Sequence, residues 1–214
     1  MQLGLLEKGA AELGLYLDSA KLESFALFLR ELEKWNRKIN LTAIEGVENV
    51  SVKHFLDSLT VLSIMAVKGN MLDIGSGAGF PGIPINIMLP ELQLVSVDAV
   101  EKKIVFQRHV ARLLCLQRFT AMHARGESLA DKYDGYFDFI ISRAFSDIIK
   151  FVKMVSPLLA EGGSIIAMRG PEGKRECEAV KNELALMRIG VSGISEFLLP
   201  VKGDKRSIII MQKY

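Results

Sequence analysis

The sequence predicts an α/β fold of the doubly wound, Rossmann-like kind: a mainly parallel sheet of seven strands behind an N-terminal helical extension. Three observations predict it. From Met71 onward short apolar runs alternate with amphipathic stretches, the pattern of a parallel sheet covered on both faces. The first run, Met71-Leu72-Asp73-Ile74, empties into Gly75-Ser76-Gly77-Ala78-Gly79, with glycines at alternate positions, and then into Phe80-Pro81-Gly82. Only glycine accepts the positive backbone angles of such a turn and lets a ligand lie against the main chain. Third, the run Gln93 to Asp98 ends in an acid 23 residues after Gly75, where this fold class places the carboxylate that receives ribose hydroxyls.

Residues 1–68 read as a helical region packing on the core, and 69–214 as the main domain. In the first region Leu22, Phe25, Leu29 and Leu32 recur at three and four, one buried stripe of a helix from Lys21 to Ile39, with Glu31, Glu33, Lys34, Arg37 and Lys38 opposite. Asn40-Leu41-Thr42 breaks it. A second amphipathic helix runs from about Asn49, carrying Val52, Phe55, Leu59 and Leu62 on one side and His54 and Asp57 beside them. Pro81 suits the first turn of the helix after the glycines.

A helix from Glu101 to Leu116 follows the second strand, with Phe106, Val110, Leu113 and Leu114 on its stripe. The third strand, Phe119 to His123, opens into Ala124-Arg125-Gly126-Glu127. The fourth, Phe137 to Ile141, opens into Ser142-Arg143-Ala144-Phe145. Gly162-Gly163 turns into the fifth, Ser164 to Met168, and a helix from about Pro171 to Arg188 leads to strands near Glu196 to Leu199 and Ser207 to Gln212. The short link Gly203-Asp204-Lys205 makes that last pair a hairpin, the one late reversal in the sheet.

Half the residues are hydrophobic, which argues against disorder; a net charge of +2 and a pI near 8.5 neither demand nor exclude a nucleic-acid partner. No run approaches the ~18 apolar residues of a membrane span, and the first 21 residues lack the pattern of a secretory leader, so a cytoplasmic protein without membrane contact is expected. Cys115 and Cys177 read as reduced, buried or half-buried thiols in helices. Three scattered histidines and two isolated cysteines show no metal-ligand spacing.

Ligands of open parallel sheets bind beyond the carboxyl ends of the strands. The Gly-x-Gly-x-Gly spacing departs from the dinucleotide fingerprint and, with Asp73 ahead of it, resembles the cofactor loop of class I S-adenosylmethionine (SAM) methyltransferases. For SAM, Gly75, Gly77 and Gly79 would hold the methionine end, Asp98 the ribose, and Gly126-Glu127 the adenine. Arg143 directly follows a buried strand at this edge, as a site arginine or as a structural ion pair. The fourth-strand loop lacks the Asn/Asp-Pro-Pro-aromatic run of amino-group methylases, and Cys115 is no loop nucleophile for carbon-5 chemistry. A ring nitrogen such as guanine N7 needs neither base nor covalent intermediate, so positioning supplies the catalysis.

Several separated segments resemble the RsmG family, also known as glucose-inhibited division protein B: Trp35-Asn36-Arg37-Lys38-Ile39-Asn40-Leu41-Thr42-Ala43-Ile44, His54-Phe55-Leu56-Asp57-Ser58-Leu59, Asp73 through Pro84, Ile141 through Phe145, and Arg206 through Ile210. The resemblance covers nearly the whole chain. It implies methyl transfer from SAM, leaving S-adenosylhomocysteine, to N7 of a guanine in the 530 loop of 16S rRNA in the small ribosomal subunit, by a cytoplasmic monomer. It further implies cofactor contacts at Gly75, Phe80, Gly126, Glu127 and Arg143, and substrate positioning by Arg125, Arg143 and Arg169. RNA contacts would come from Asn36, Arg37, Lys38, Asn40, His54, Arg125, Arg169 and Arg206, with Lys34 beside them. Gly126 stands where the family usually has alanine or valine, and Arg169 where lysine is usual. Two alternatives stay open: the same cofactor with another RNA or a small-molecule acceptor, and a non-catalytic RNA-binding module of ribosome assembly.

Overall fold

The computed structural model describes residues 3–143, 145 and 147–214; Ala144, part of one resembling segment, lies outside them. Seven strands form one sheet in the order β3-β2-β1-β4-β5-β7-β6: β1 (Asn70–Ile74), β2 (Gln93–Asp98), β3 (Phe119–His123), β4 (Phe137–Ser142), β5 (Leu159–Arg169), β6 (Ile189–Leu198) and β7 (Lys205–Lys213). Strands β1 to β5 pair in parallel, whereas β7 runs antiparallel to both neighbours. The reversal expected from the short Gly203 link is therefore present. The order steps outward from β1 in both directions, so the ends of β1, β2 and β4 frame the switch point.

Helices α1 (Gly4–Glu12) and α2 (Ser19–Ile39) pack on this framework through Leu6, Phe25, Phe28, Leu29 and Leu32. That cluster is continuous with Phe80, Ile83 and Phe106 from the sheet region. Asp18 caps α2 by accepting from Lys21 N–H at 2.8 Å, and Asn40 ends it in the left-handed region with φ 48°. The second amphipathic segment starts at Val47 and is no simple helix. It passes through α3 (Val47–Val50), a π-helical turn (Ser51–Leu56), α4 (Asp57–Leu59) and a 3₁₀ turn (Thr60–Ser63). Widened turns of this kind free main-chain carbonyls and recur at functional sites.

Elsewhere the structure corrects several boundaries. Helix α5 (Gly82–Met88) begins after Pro81, which is its N-cap rather than its first turn. Helix α6 (Glu101–Leu113) stops short, so Cys115 sits in the following turn, exposed, with φ 53°. Its buried face is Ile104, Phe106, Gln107, Val110 and Ala111, which leaves Leu113 41% exposed. The Gly126 loop is a 3₁₀ turn to Leu129 followed by α7 (Ala130–Tyr133), and α8 (Ile148–Val155) covers the sheet beyond β4. Strand β5 starts at Leu159, before the Gly162-Gly163 irregularity, and the expected Pro171–Arg188 helix is two short ones, α9 (Gly173–Ala179) and α10 (Lys181–Leu186), broken at Val180. Strand β6 starts seven residues earlier than the apolar pattern suggested, because its pairing with β7 satisfies the backbone where side chains are only half buried.

Candidate active site

The glycine turn is built as its spacing implied. Gly75, Gly77 and Gly79 have φ of 73°, 59° and 94°, and the N–H groups of Gly75 and Ser76 both donate to Val97 C=O on β2, at 2.9 and 3.1 Å. A side chain added at Gly77 would meet nothing within 4 Å, so open space lies against this main chain, as a bound cofactor requires. Asp98 is buried. One of its oxygens accepts from Gly77 N–H and the other from Val100 N–H, each at 2.8 Å, so the acid is locked to the rim of the turn with a second lone pair left on each oxygen.

Asp73 lies beneath the turn, fully buried. Oδ2 accepts from Gly82 N–H at 2.8 Å while Oδ1 has no hydrogen-bond partner. Burial pushes its pKa up to about 7, against the lowering effects of the Gly82 N–H and Arg143 and with a raising contribution from Asp98.

Phe80 packs between Phe28, at 5.2 Å between centroids, and the His54 ring, which stacks at 4.2 Å and 6°. His54 is fixed at both nitrogens. Nδ1 lies 3.0 Å from Arg143 Nη2, which can only donate, so Nδ1 is the acceptor and Nε2 carries the proton toward Thr42 Oγ1 at 2.8 Å. Burial, and then the Arg143 charge, hold the pKa of His54 down at about 3. A neutral imidazole whose free lone pair is already engaged cannot serve as a general base.

Arg143 leaves the end of β4 and docks on the π-helical turn. Nη1 donates to Lys53 C=O at 3.2 Å and to Asp57 Oδ2 at 3.0 Å, and the guanidinium lies 5.4 Å from the Phe80 ring centre. Two cavities open on either side of it. One, of about 180 Å³, is lined by Leu41, Thr42, the Gly75–Ala78 turn and Phe80. The other, of about 320 Å³, lies over the ends of β4, β5 and β7 between Lys53, Asp57, Arg169, Gly170, Phe197 and Arg206. His54 and Arg143 line both, so they form the wall between the recess over the glycine turn and a cationic cavity. Among the described residues no cluster of His, Cys, Asp or Glu is placed to hold a metal ion, and no helix is long and apolar enough to cross a membrane.

The family model for rRNA small subunit methyltransferase G matches residues 21–208. The chain belongs to the rRNA small subunit methyltransferase G family. Relatives carrying that name from Geotalea uraniireducens and Geobacter sulfurreducens are 53% and 49% identical, over 98% and 96% of this chain and 95% and 94% of their own. The structure is also similar to a ribosomal protein L11 methylase from Lactobacillus delbrueckii subsp. bulgaricus (TM-score 0.55, 16% identity, 79% of this chain and 81% of that one). The glycopeptide N-methyltransferase MtfA, solved with SAM, is similar as well (TM-score 0.62, 10% identity, 75% and 94%). The fold is that of class I SAM-dependent methyltransferases.

In this member of the methyltransferase G family, Gly75, Gly77, Gly79, Phe80, Asp98 and Arg143 come together, and Gly126-Glu127 sits nearby, because Ala124 N–H donates to Asp98 C=O at 3.3 Å. Arg125 and Glu127 are exposed on that loop, and Arg37, Lys38 and Asn40 are exposed at the end of α2. Asn36 faces inward instead. Its Oδ1 accepts from Leu41 and Thr42 N–H at 2.7 and 2.9 Å and its Nδ2 donates to Glu45 at 3.2 Å, so it shapes the loop that carries Thr42 to His54. Arg169 lines the cationic cavity, yet its guanidinium is bound to Glu176 and to Phe145 C=O.

Gln107 was missed in the sequence. Fully buried on α6, it accepts from Ser96 Oγ at 2.7 Å and donates to Ser76 Oγ and Gly77 C=O, each at 2.8 Å, tying β2 to the glycine turn. A polar residue one turn from Ile104 and Ala111 on an apolar face was the available signal.

Proposed function

We propose that the protein transfers the methyl group of SAM to N7 of a guanine in the 530 loop of 16S rRNA within small ribosomal subunits, as a cytoplasmic monomer. The observation that carries this reading is the common wall: His54 and Arg143 separate the recess over the glycine turn from the arginine-lined cavity over β4, β5 and β7. SAM, bound in that recess, supplies an electrophilic methyl on a sulfonium. The glycine turn and Asp98 hold its methionine and ribose ends, Gly126-Glu127 its adenine, and the arginines the RNA.

The chemistry matches the lack of a base. Guanine N7 already holds an in-plane lone pair; as it bonds to the methyl carbon the carbon–sulfur bond breaks, the positive charge passes to the purine and S-adenosylhomocysteine leaves. No proton moves, so His54 can stay neutral with Nδ1 engaged. The major groove of A-form RNA hides N7, which makes an unstacked loop base the fitting acceptor. Exposed Lys34, Arg37 and Lys38 on α2, with Arg125, supply phosphate contacts on the approach.

The test is incubation with methyl-labelled SAM and small subunits lacking the modification, followed by digestion of the RNA. Label in 7-methylguanosine from the 530 loop is the expected result. Label in another nucleoside, or in no RNA while SAM still binds, would sink the assignment.

A further inference from the structure

Asp57 lies on the N-terminal helical extension, 5% exposed, and is the single carboxylate lining the cationic cavity among the residues described there. Each oxygen receives a different arginine: Oδ2 takes Arg143 Nη1 at 3.0 Å from the end of β4, and Oδ1 takes Arg206 Nε at 2.8 Å from the start of β7. In the sheet order β4-β5-β7 these strands flank β5, so one side chain spans the cavity mouth above the end of β5.

The two arginines depend on it unequally. Arg143 has two further anchors, Lys53 C=O and His54 Nδ1. Among the described residues the other partners of Arg206 are weaker: its neighbour's carbonyl, Lys205 C=O, accepts from Nη1 at 3.0 Å, and Asp204 lies 3.7 Å from Nη2. Burying a carboxylate between two guanidiniums is a weak source of net stability, because desolvation offsets most of the attraction. What such a group does provide is a fixed geometry.

We infer that Asp57 is the positioning residue of the acceptor cavity: it takes Arg206 by Nε and, with Lys205 C=O on Nη1 and Asp204 near Nη2, fixes that guanidinium in the cavity wall where the RNA is received. This rests on the RNA methyltransferase reading above. Asp57 touches neither cofactor nor acceptor in this role and acts through Arg206.

The test is a double-mutant cycle of Asp57→Asn and Arg206→Gln in the full chain. It reads KM for small subunits, Kd for a labelled 16S rRNA fragment carrying the 530 loop, Kd for SAM, and thermal midpoint. Each single variant should raise KM and RNA Kd about tenfold, as loss of one oriented arginine contact would. The double variant should be no worse than Arg206→Gln alone, SAM Kd should stay within about twofold because Arg143 keeps its other anchors, and Asp57→Glu should recover part of the RNA affinity. Additive losses in the double variant, or an unchanged RNA Kd in a folded Asp57→Asn, would overturn the inference while leaving methyl transfer by the wild type intact. RNA binding with a coupled cycle but no methyl transfer would sink the functional reading and leave the role of Asp57 standing. If the wild type binds no RNA, both fall.

Discussion

Replacing Gln107 by leucine keeps the side chain's approximate size on α6 and removes three hydrogen bonds, the buried ones to Ser96 Oγ and Ser76 Oγ and the half-buried one to Gly77 C=O. At about 1 kcal/mol net for each bond the variant should lose about 3 kcal/mol. For a chain of this size that is a fall of about 6–12 °C in Tm. The loss is not spread evenly, since Gly77 C=O is left unpaired in the turn itself. If about 1.4 kcal/mol of the cost returns when SAM orders the turn, SAM Kd rises about tenfold. Urea unfolding gives the first quantity and calorimetric titration with SAM the second. A variant that unfolds earlier yet binds SAM as tightly as the wild type would refute the argument that Gln107 shapes the cofactor turn.

Further outcomes follow from the same geometry. Asp73 has its folded pKa raised to about 7, so the stability it contributes is fully present below the unfolded value of 3.8 and is lost as pH rises through 7. Asp73→Asn should therefore flatten the pH dependence of Tm between pH 4 and 8 and raise Tm at pH 8, and a lowered Tm there would contradict the buried, half-satisfied carboxylate. His54, depressed to about 3, contributes stability present above pH 6.5 and lost as pH falls toward 3. Of the three histidines, nitrogen NMR should find one with an Nε2–H tautomer that does not titrate above pH 4. A Cβ at Gly126 would run into Met154 Sδ and lie 2.8 Å from Ile74 Cδ1. These are the ends of flexible side chains that can move aside, so Gly126→Ala should leave the SAM Kd within about twofold in calorimetric titration, and a tenfold loss would show that Met154 is held rigidly against the loop. A Cβ at Gly173 would press on Ser207 Oγ and Arg169 Cβ, so Gly173→Ala should shift Arg169 and lower methyl transfer more than SAM affinity.

Much of the architecture was legible because it rests on local signals. Alternating apolar runs marked β1 to β4 nearly to the residue, and the glycines could only be a turn with positive φ. The boundaries that failed are set by tertiary contacts. Strand β6 extends through Gly190 and Gly193 because β7 pairs with it, and the buried face of α6 includes Gln107, which is held by the glycine turn, and leaves out Leu113. The glycine turn and the acid hydrogen-bonded to it were readable from spacing. The cationic cavity was not, because it joins residues far apart in sequence: Asp57 meets Arg143 and Arg206 across 86 and 149 positions. Asn36 and Arg169 looked like RNA contacts by type and position. Their hydrogen bonds to Leu41, Thr42 and Glu45, and to Glu176 and Phe145, are tertiary facts with no local signature.

The central physical claim is that this site works by placement alone, with no proton transfer. It is tested most directly by the single-turnover rate of methyl transfer to small subunits at saturating SAM, measured from pH 5.5 to 8.5. A rate constant that is flat across this range is the predicted result, since the proposed acceptor, guanine N7, needs no base and His54 stays neutral with its lone pair on Arg143. A tenfold rise per pH unit over any part of the range would show an essential base and contradict the account.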